Sequence, residues 1–435
     1  MGNDNVLEGD VVIVGGGVAG LELATTLGRR SRRGRGVGKV LLVDADSAHV
    51  WKPMLHTIAA GTRDLAQHQT PYLAQARDAG FTYVPGGLAG LDRERQEITV
   101  APLEGPSGQV LLPARRVRYR ALVLAIGSQA NDFGVPGAQA HGMRIDSRRD
   151  ADTFARTLRE RMLQCLADGS DLPIAIIGGG ATGVELAAEL VKLRDIAASY
   201  GSEALRSRIS LTLVESGTRL LAAFPEDVGH ATRGKLESLG IQVMTGQRAV
   251  AIERDGIALK DGGWVRATLK VWAAGVKAPA VLNGLDDLET NAASQLIVGR
   301  SLQTTRDARI FAVGDCSSLS LNGHKPLPPT AQVAHQQAAH LAKHLPAFLA
   351  RAHAIPPFAY HDFGALVSLA EYDAFGSLGR TGLLKGLTLR GRLARYSHEM
   401  LYRGHQARLH GPVKGTLLWC IDALNAKVRA PARMD

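Results

Sequence analysis

The sequence predicts an α/β chain in which one strand–turn–helix unit is built twice. Three observations carry this. Val11-Val12-Ile13-Val14 runs into Gly15-Gly16-Gly17-Val18-Ala19-Gly20 and then Leu21-Glu22-Leu23. Ile174-Ala175-Ile176-Ile177 runs into Gly178-Gly179-Gly180-Ala181-Thr182-Gly183 and then Val184-Glu185-Leu186. Each turn is followed by a second apolar strand ending in an acid, Asp44 in the first copy and Glu215 in the second. Short β-branched runs read as buried parallel strands. A lone G-x-G-x-x-G is a weak signal, but two with the same surroundings predict two Rossmann-like dinucleotide-binding domains.

In the first copy Gly15 allows the tight turn, Gly17 lets a pyrophosphate approach the backbone, and Gly20 lets the helix pack on the strand. Gly16 completes the turn, and the helix N-terminus faces the phosphates. Next, Gly28-Arg29-Arg30-Ser31-Arg32-Arg33-Gly34-Arg35 reads as a basic loop, solvated or laid against lipid head groups. The strand from Lys39 ends at Asp44, beside Ala45, where an acid can bond the ribose hydroxyls of an adenosine. His49-Val50-Trp51-Lys52-Pro53-Met54-Leu55-His56 reads as a rigid loop, either core or a cover for a planar ring. Residues 81–120 alternate in character and carry Gly and Pro turns, such as Val84-Pro85-Gly86-Gly87, and predict a small antiparallel insert containing Leu88. A buried strand then runs from Tyr119 to Ala125 and ends in small residues through Gly127, letting the chain return close to a bound nucleotide.

A helix over 148–167 leads into the second copy, where Gly178, Gly180 and Gly183 take the three glycine roles. Residues 192–208 read as an insertion before the strand that ends at Glu215. An acid there repels a 2′-phosphate and so favours NADH over NADPH. Residues 240–246 read as the start of a second β insert, closing with Lys270-Val271-Trp272-Ala273-Ala274-Gly275. The strand from Arg309 ends in Gly314-Asp315, an aspartate able to accept from a ribityl hydroxyl. On the helix from Thr330, Gln332 and Gln336 share a face. Two amides there can bind a carbonyl-bearing ring or serve as ordinary helix surface.

Composition narrows the class. With 45% hydrophobic and 21% charged residues the chain is globular, of two or three domains. No uninterrupted apolar run is long enough to span a bilayer, and the first apolar run is glycine-broken, so no signal peptide is expected. Cys165, Cys316 and Cys420 lie far apart, without redox-pair or zinc spacing, so no metal and no iron–sulfur cluster is expected. The net charge is +10, and residues 380–435 hold eleven Lys or Arg against three Asp or Glu. In that tail Leu387, Leu389, Leu393, Tyr396, Leu417, Leu418, Trp419 and Ile421 interleave with Arg390, Arg392, Arg395, Arg403 and Lys414. Such a segment fits a helix lying in an anionic phospholipid interface. Packing on the body and a homodimer interface are the alternatives; nucleic acid suits the apolar interleaving less well.

These residues together resemble the two-dinucleotide-binding flavoprotein reductases, and more closely the type II NADH dehydrogenases, single-subunit NADH:quinone oxidoreductases of respiratory membranes. The likeness runs through Gly15 to Gly20, Trp51-Lys52-Pro53, Ala125-Ile126-Gly127-Ser128, Gly178 to Glu185, Trp272 to Gly275, Gly314-Asp315 and Ala331-Gln332-Val333-Ala334-His335-Gln336. The resemblance implies an FAD domain of residues 1–142 with 293–385, an NADH domain of residues 143–292, and a membrane-association region of residues 386–435. It implies FAD contacts at Gly15, Gly16, Gly17, Gly20, Asp44, Ala45, Leu88, Gly127, Asp315, Ala334 and Lys414. NADH, as substrate, would meet Gly178, Gly180, Gly183, Glu215, Ala274 and Gly275. Glu185 would act near the nicotinamide and flavin, and Gln332 and Gln336 would bind the quinone, ubiquinone or menaquinone. The expected place is the cytoplasmic face of the cell membrane, held peripherally. Sulfide:quinone oxidoreductase is the alternative within the fold, but its chemistry needs a cysteine pair at the flavin. A non-catalytic NAD(H)-sensing flavoprotein is the alternative outside catalysis.

Overall fold

The computed structural model describes residues 6–105, 107–321, 325–351, 353–378 and 388–428. The chain forms two compact units, each of three segments. The first comprises Met1–Trp51, Gln69–Gln129 and Val276–Tyr360; the second comprises Lys52–His68, Ala130–Gly275 and His361–Asp435.

The first unit is organised by a parallel sheet in the order Thr82–Pro85, Val40–Asp44, Leu7–Val14, Arg115–Leu124, with Ile310–Ala312 also parallel to the last. Val11, Val12 and Ile13 are fully buried, as are Leu122, Val123 and Leu124 beside them. Burying each such side chain contributes about 1.5–3 kcal/mol, which is why continuous apolar runs choose the sheet centre. The expected antiparallel insert is present as Leu88–Asp92 and Glu97–Val100, the latter pairing antiparallel with the first half of Arg115–Leu124. Thr82–Pro85, read with that insert, instead extends the parallel sheet beside Val40–Asp44.

Residues 28–35 are not a loop throughout. Gly28 to Arg32 form the last turns of the helix Val18–Arg32, with Arg29, Arg30 and Arg32 at its negative C-terminal end. Arg30 donates to the Ala342 carbonyl, and Arg32 donates to the carbonyls of Arg77 (3.2 Å) and Asp78 (3.1 Å). Arg30 and Arg32 are thus engaged inside the unit, while Arg33 and Arg35 stay exposed.

The second unit repeats the plan with four parallel strands in the order Ile241–Thr245, Ile209–Glu215, Leu172–Ile177, Leu269–Trp272. Ile241–Thr245 is therefore a strand of the main sheet rather than the start of the insert. It is an edge strand, paired with Ile209–Glu215, and its burial alternates accordingly. The insert proper is Ala249–Glu253, Gly256–Leu259 and Trp264–Arg266, antiparallel throughout. The helix Arg148–Asp168 starts at a reciprocal cap, with Asp150 N donating to Ser147 Oγ (3.1 Å) and Ser147 N to Asp150 Oδ2 (3.0 Å). The helix Ala181–Ser199 absorbs the first half of the expected insertion, and a short helix, Ala204–Arg208, takes the end of it.

The tail is structured with this unit. Gly364–Leu369, Asp373–Leu378 and Thr388–Arg390 make an antiparallel sheet, against which the helix Arg392–His410 packs. The last helix, Pro412–Val428, packs on Arg392–His410. A Cβ on Gly415 would lie 3.1 Å from the Ala407 Cα, so glycine permits the close approach. Arg403 Nη1 bonds Asp422 Oδ2 at 2.5 Å across the pair. Residues 361–378, grouped from sequence with the first domain, join the second unit because Gly364–Leu369 packs on the helix Ala181–Ser199. Leu387 lies outside the described residues.

Candidate functional site

The two glycine turns have one geometry. Gly15 and Gly178 have φ of 103° and 116°, a left-handed region open to glycine. A Cβ on Gly15 would sit 2.4 Å from the Ala125 carbonyl oxygen, and one on Gly178 would sit 2.6 Å from that of Ala273. Gly20 and Gly183 are also forced, since a Cβ there would lie 1.8 Å and 2.0 Å from the carbonyl oxygens of Gly15 and Gly178. Gly17 and Gly180 differ. Both are exposed at the start of a long helix, and nothing lies within 4 Å of where a Cβ would stand. That open cradle, lined by helix N-terminal amides, is the place a pyrophosphate fits.

Each strand-end acid clamps its turn. Gly16 N donates to Asp44 Oδ2 (2.5 Å), and Asp46 N donates to Asp44 Oδ1 (2.7 Å). Gly179 N donates to Glu215 Oε2 (2.6 Å), and Gly217 N donates to Glu215 Oε1 (2.5 Å). Both carboxylates stay half-exposed, and each oxygen can accept again, so ribose hydroxyls fit the remaining lone pairs. In the first copy the Gly16 carbonyl also accepts from Tyr72 Oη (3.0 Å) and lies 2.9 Å from His49 Nδ1. A Cβ on Gly16 would collide with Tyr72 Oη at 2.3 Å, so the middle glycine is needed as well.

The other first-unit candidates fall into two places. Ala45 is exposed directly after Asp44, and Leu88 is half-buried at the start of its strand. Gly127 has φ of 71°, with open space where a Cβ would be. Ser128 Oγ donates to Asp315 Oδ2 (2.7 Å), and Gln295 Nε2 donates to the Asp315 carbonyl (2.9 Å). Gly314 has φ of 72°, and a Cβ there would lie 3.4 Å from the Ala334 Cβ and 3.9 Å from the Ala19 Cβ. Small residues from three elements thus converge beside Asp315.

The amide holding that turn was missed in the sequence. Gln337, 1% exposed on the helix Ala331–Arg351, accepts from Gly314 N at 2.6 Å. Val333, Gln337 and Leu341 are all buried at helical spacing, and that stripe is the signal that identifies it. Gln332 and Gln336 are half-buried on the same helix. His335 Nδ1 lies 2.5 Å from Glu22 Oε2, a pairing that ties this helix to Val18–Arg32.

In the second unit Ala274 is half-buried, while Gly275 is exposed with φ of 67°, its Cβ position 2.7 Å from the Phe133 ring. Lys414 is exposed on the last helix. Glu185 is buried on the helix Ala181–Ser199 and is 6% exposed. Ser368 N donates to its Oε1 at 3.0 Å. Burial, with Glu189 one turn further on, raises the Glu185 carboxyl to about 8. His56 Nδ1 lies 3.5 Å from Oε2, and His398 Nε2 lies 3.6 Å from Oε1. Burial lowers His56 to about 3 and also lowers His398. At neutral pH these shifts favour a protonated acid between two neutral imidazoles. Nothing in the sequence pairs these histidines with Glu185, because each is isolated and far from it along the chain.

No two cysteines are paired. Cys165 and Cys316 are buried, Cys420 is exposed, and all three are free. Burial pushes the Cys316 thiol up to about 11, far from a reactive thiolate.

The pyridine nucleotide-disulphide oxidoreductase family matches residues 9–338. A type II NADH:quinone oxidoreductase of Haemophilus influenzae is 40% identical over 434 residues, covering 96% of this chain and 97% of its own length. One of Staphylococcus aureus is 24% identical, covering 90% and 93%. Among solved structures, NDH2 from Plasmodium falciparum in complex with NADH aligns over 99% of both chains, at 17% identity and a TM-score of 0.83. The sulfide:quinone oxidoreductase of Aquifex aeolicus aligns over 98% of this chain and 96% of that one, at 19% identity and a TM-score of 0.72. At these identities the two structures speak for the fold alone.

Proposed function

The chain belongs to the pyridine nucleotide-disulphide oxidoreductases and, among them, to the type II NADH:quinone oxidoreductases, and on that premise we propose how its residues divide the work. The enzyme is a flavoprotein that oxidises NADH and reduces a quinone. We assign FAD to the turn at Gly15 to Gly20 and NADH to the turn at Gly178 to Gly183. The observation that carries this is the duplicated cradle: forced glycines around an open one, each closed by a strand-end acid. Two dinucleotides fit two such cradles. Asp315 and Gly127 supply the further polar and small-residue positions an FAD needs.

When bound, the flavin supplies the redox chemistry, taking a hydride from NADH and passing two electrons to quinone. The side chains bind, orient and handle protons. Glu215 repels a 2′-phosphate and so selects NADH. Hydride transfer supplies two electrons and one proton, whereas a quinol carries two protons, so each turnover takes up one more. Glu185 is the buried group that holds a proton near neutral pH, which suits it to this task. Gln332 and Gln336 donate amide hydrogens to a quinone carbonyl.

No described helix is long and apolar enough to cross a membrane. On the last helix Val413, Leu417, Ile421, Leu424 and Val428 are between 51% and 83% exposed. Their spacing puts them on one face. We assign that face to the phospholipid surface on the cytoplasmic side, where NADH is available. A second copy of the chain is the competing occupant, and the oligomeric state in detergent separates the two.

The assignment is tested by half-reactions. Gln332→Ala and Gln336→Ala should raise the quinone KM several-fold while flavin bleaching by NADH stays within twofold of wild type. Flavin released by heat should be FAD. Release of FMN alone, or equal slowing of bleaching and reoxidation by both glutamine variants, contradicts it.

A further inference from the structure

The helix Arg392–His410 brings more than an apolar surface to the second unit. Leu393, Tyr396 and Leu401 are 60%, 53% and 51% exposed, whereas His398, between them in sequence, turns inward to Glu185. On the other side of the carboxyl stands His56, from the short helix Leu55–Ala59. The side chains of His56 and Glu185 are 6% and 8% exposed and that of His398 is 19% exposed. At 3.5 and 3.6 Å the ring nitrogens lie against the carboxyl at the outer edge of hydrogen-bond distance. Oε1 already accepts from Ser368 N, so the acidic proton belongs on Oε2, the oxygen facing His56.

We infer that His56 and His398 are positioning residues that wall Glu185 off from water and keep its proton in place, making the helix Arg392–His410 part of the acid's housing. The groups around the cluster agree. Arg63, which follows the Leu55–Ala59 helix, disfavours protonation of both His56 and His398 by charge repulsion. Glu189 disfavours a second negative charge at Glu185 and is itself held by Thr62 Oγ1 at 2.6 Å. Glu399, beside His398, acts weakly the other way on that ring. Further along the helix Ala181–Ser199 that carries Glu185, Lys192 pairs with Glu371, and Asp195 pairs with Arg194 and Arg206, so those charges are already matched. Neutral imidazoles keep water out without stabilising the carboxylate, which a lysine or arginine there would do.

The inference rests on Glu185 as the proton-bearing acid of quinone reduction. Its test is the pH profile of quinone turnover at saturating NADH. The wild-type enzyme should lose turnover as pH rises past about 8, and Glu185→Gln should lower turnover and remove that limb. His398→Ala and His56→Ala open the wall to water, and each should move the limb down by at least one pH unit, a tenfold change in proton affinity. His398→Leu, which still excludes water, should leave the limb within half a unit of wild type. The KM for NADH should change less than twofold in all of them. If His398→Ala does not retain flavin, His398→Asn, small and polar, should give the same downward shift. Unmoved limbs in the histidine variants, with Glu185→Gln impaired, overturn this inference alone. A Glu185→Gln enzyme with wild-type turnover and profile overturns the underlying reading instead.

Discussion

Glu215 and His56 show how much a single side chain carries here. Glu215 holds two backbone amides, at Gly179 and Gly217, so it shapes the glycine turn in addition to the ribose role proposed for it. A hydrogen bond to a charged group is worth about 1.5–3 kcal/mol. Glu215→Gln should therefore raise the NADH KM about tenfold or more and raise the relative use of NADPH, read from steady-state kinetics with each cofactor. Equal wild-type use of NADH and NADPH contradicts its ribose role. His56 makes a different claim. Its ordinary value is 6.5 in the unfolded chain and about 3 in the fold. Below pH 6.5 the unfolded chain takes up a proton that the fold refuses, so this stability is present above pH 6.5 and falls as pH drops towards 3. The slope is at most about 1.4 kcal/mol per pH unit from this one group. Thermal unfolding of His56→Gln between pH 7 and pH 5 should show a shallower loss of Tm than wild type; a parallel loss contradicts the assignment. The glycines and strand-end acids were legible in the sequence because their spacing is local. Gln337 was passed over for Gln332 and Gln336, since an amide inside a buried stripe reads as core until its partner at Gly314 is known.

At the scale of elements, strand–turn–helix packing makes the third glycine of each turn the sharpest probe. Gly183→Ala would place a methyl 2.0 Å from the Gly178 carbonyl oxygen, and Gly20→Ala would place one 1.8 Å from that of Gly15. Something must shift in both, but the losses should differ. Gly20→Ala should purify with little or no flavin, whereas Gly183→Ala should keep its flavin and lose NADH affinity by more than tenfold. Flavin absorbance and NADH titration read the two outcomes, and the reverse pattern exchanges the cofactor assignments. The tail calls for point substitutions rather than removal. Cutting at 386 would take the strand Thr388–Arg390 out of its sheet and His398 away from Glu185, so it tests far more than attachment. Replacing Leu417, Ile421 and Leu424 by Ser leaves those contacts in place. Burial of a Leu or Ile side chain is worth about 1.5–3 kcal/mol, so the triple variant should move from vesicles of anionic phospholipid to the supernatant in a flotation assay. Unchanged flotation places the anchor elsewhere. The sequence signalled the basic, apolar tail and left packing on the body as an alternative, but it did not say which face of Arg392–His410 packs on the unit. That depends on Gly364–Leu378, remote in composition from any helix signal.

The molecule as a whole is one plan used twice, with additions peculiar to each copy. Parallel sheet, glycine turn, acid clamp and antiparallel insert recur in both units. The first adds Asp315, Gln337 and Tyr72; the second adds the buried Glu185 cluster. The repeat was readable because it is written in short local patterns. The segments that make up each unit were not, since residues 52–68 and 361–378 join the second unit through packing that no local pattern records. The central claim is that this chain moves electrons from NADH through a bound flavin to a quinone. Anaerobic stopped-flow absorbance of the purified holoprotein tests it most directly. The flavin band should bleach within one turnover time on mixing with NADH and recover at a matching rate on mixing with a soluble quinone. A flavin that NADH does not bleach, or one that bleaches but is not reoxidised by any quinone tried, would contradict it.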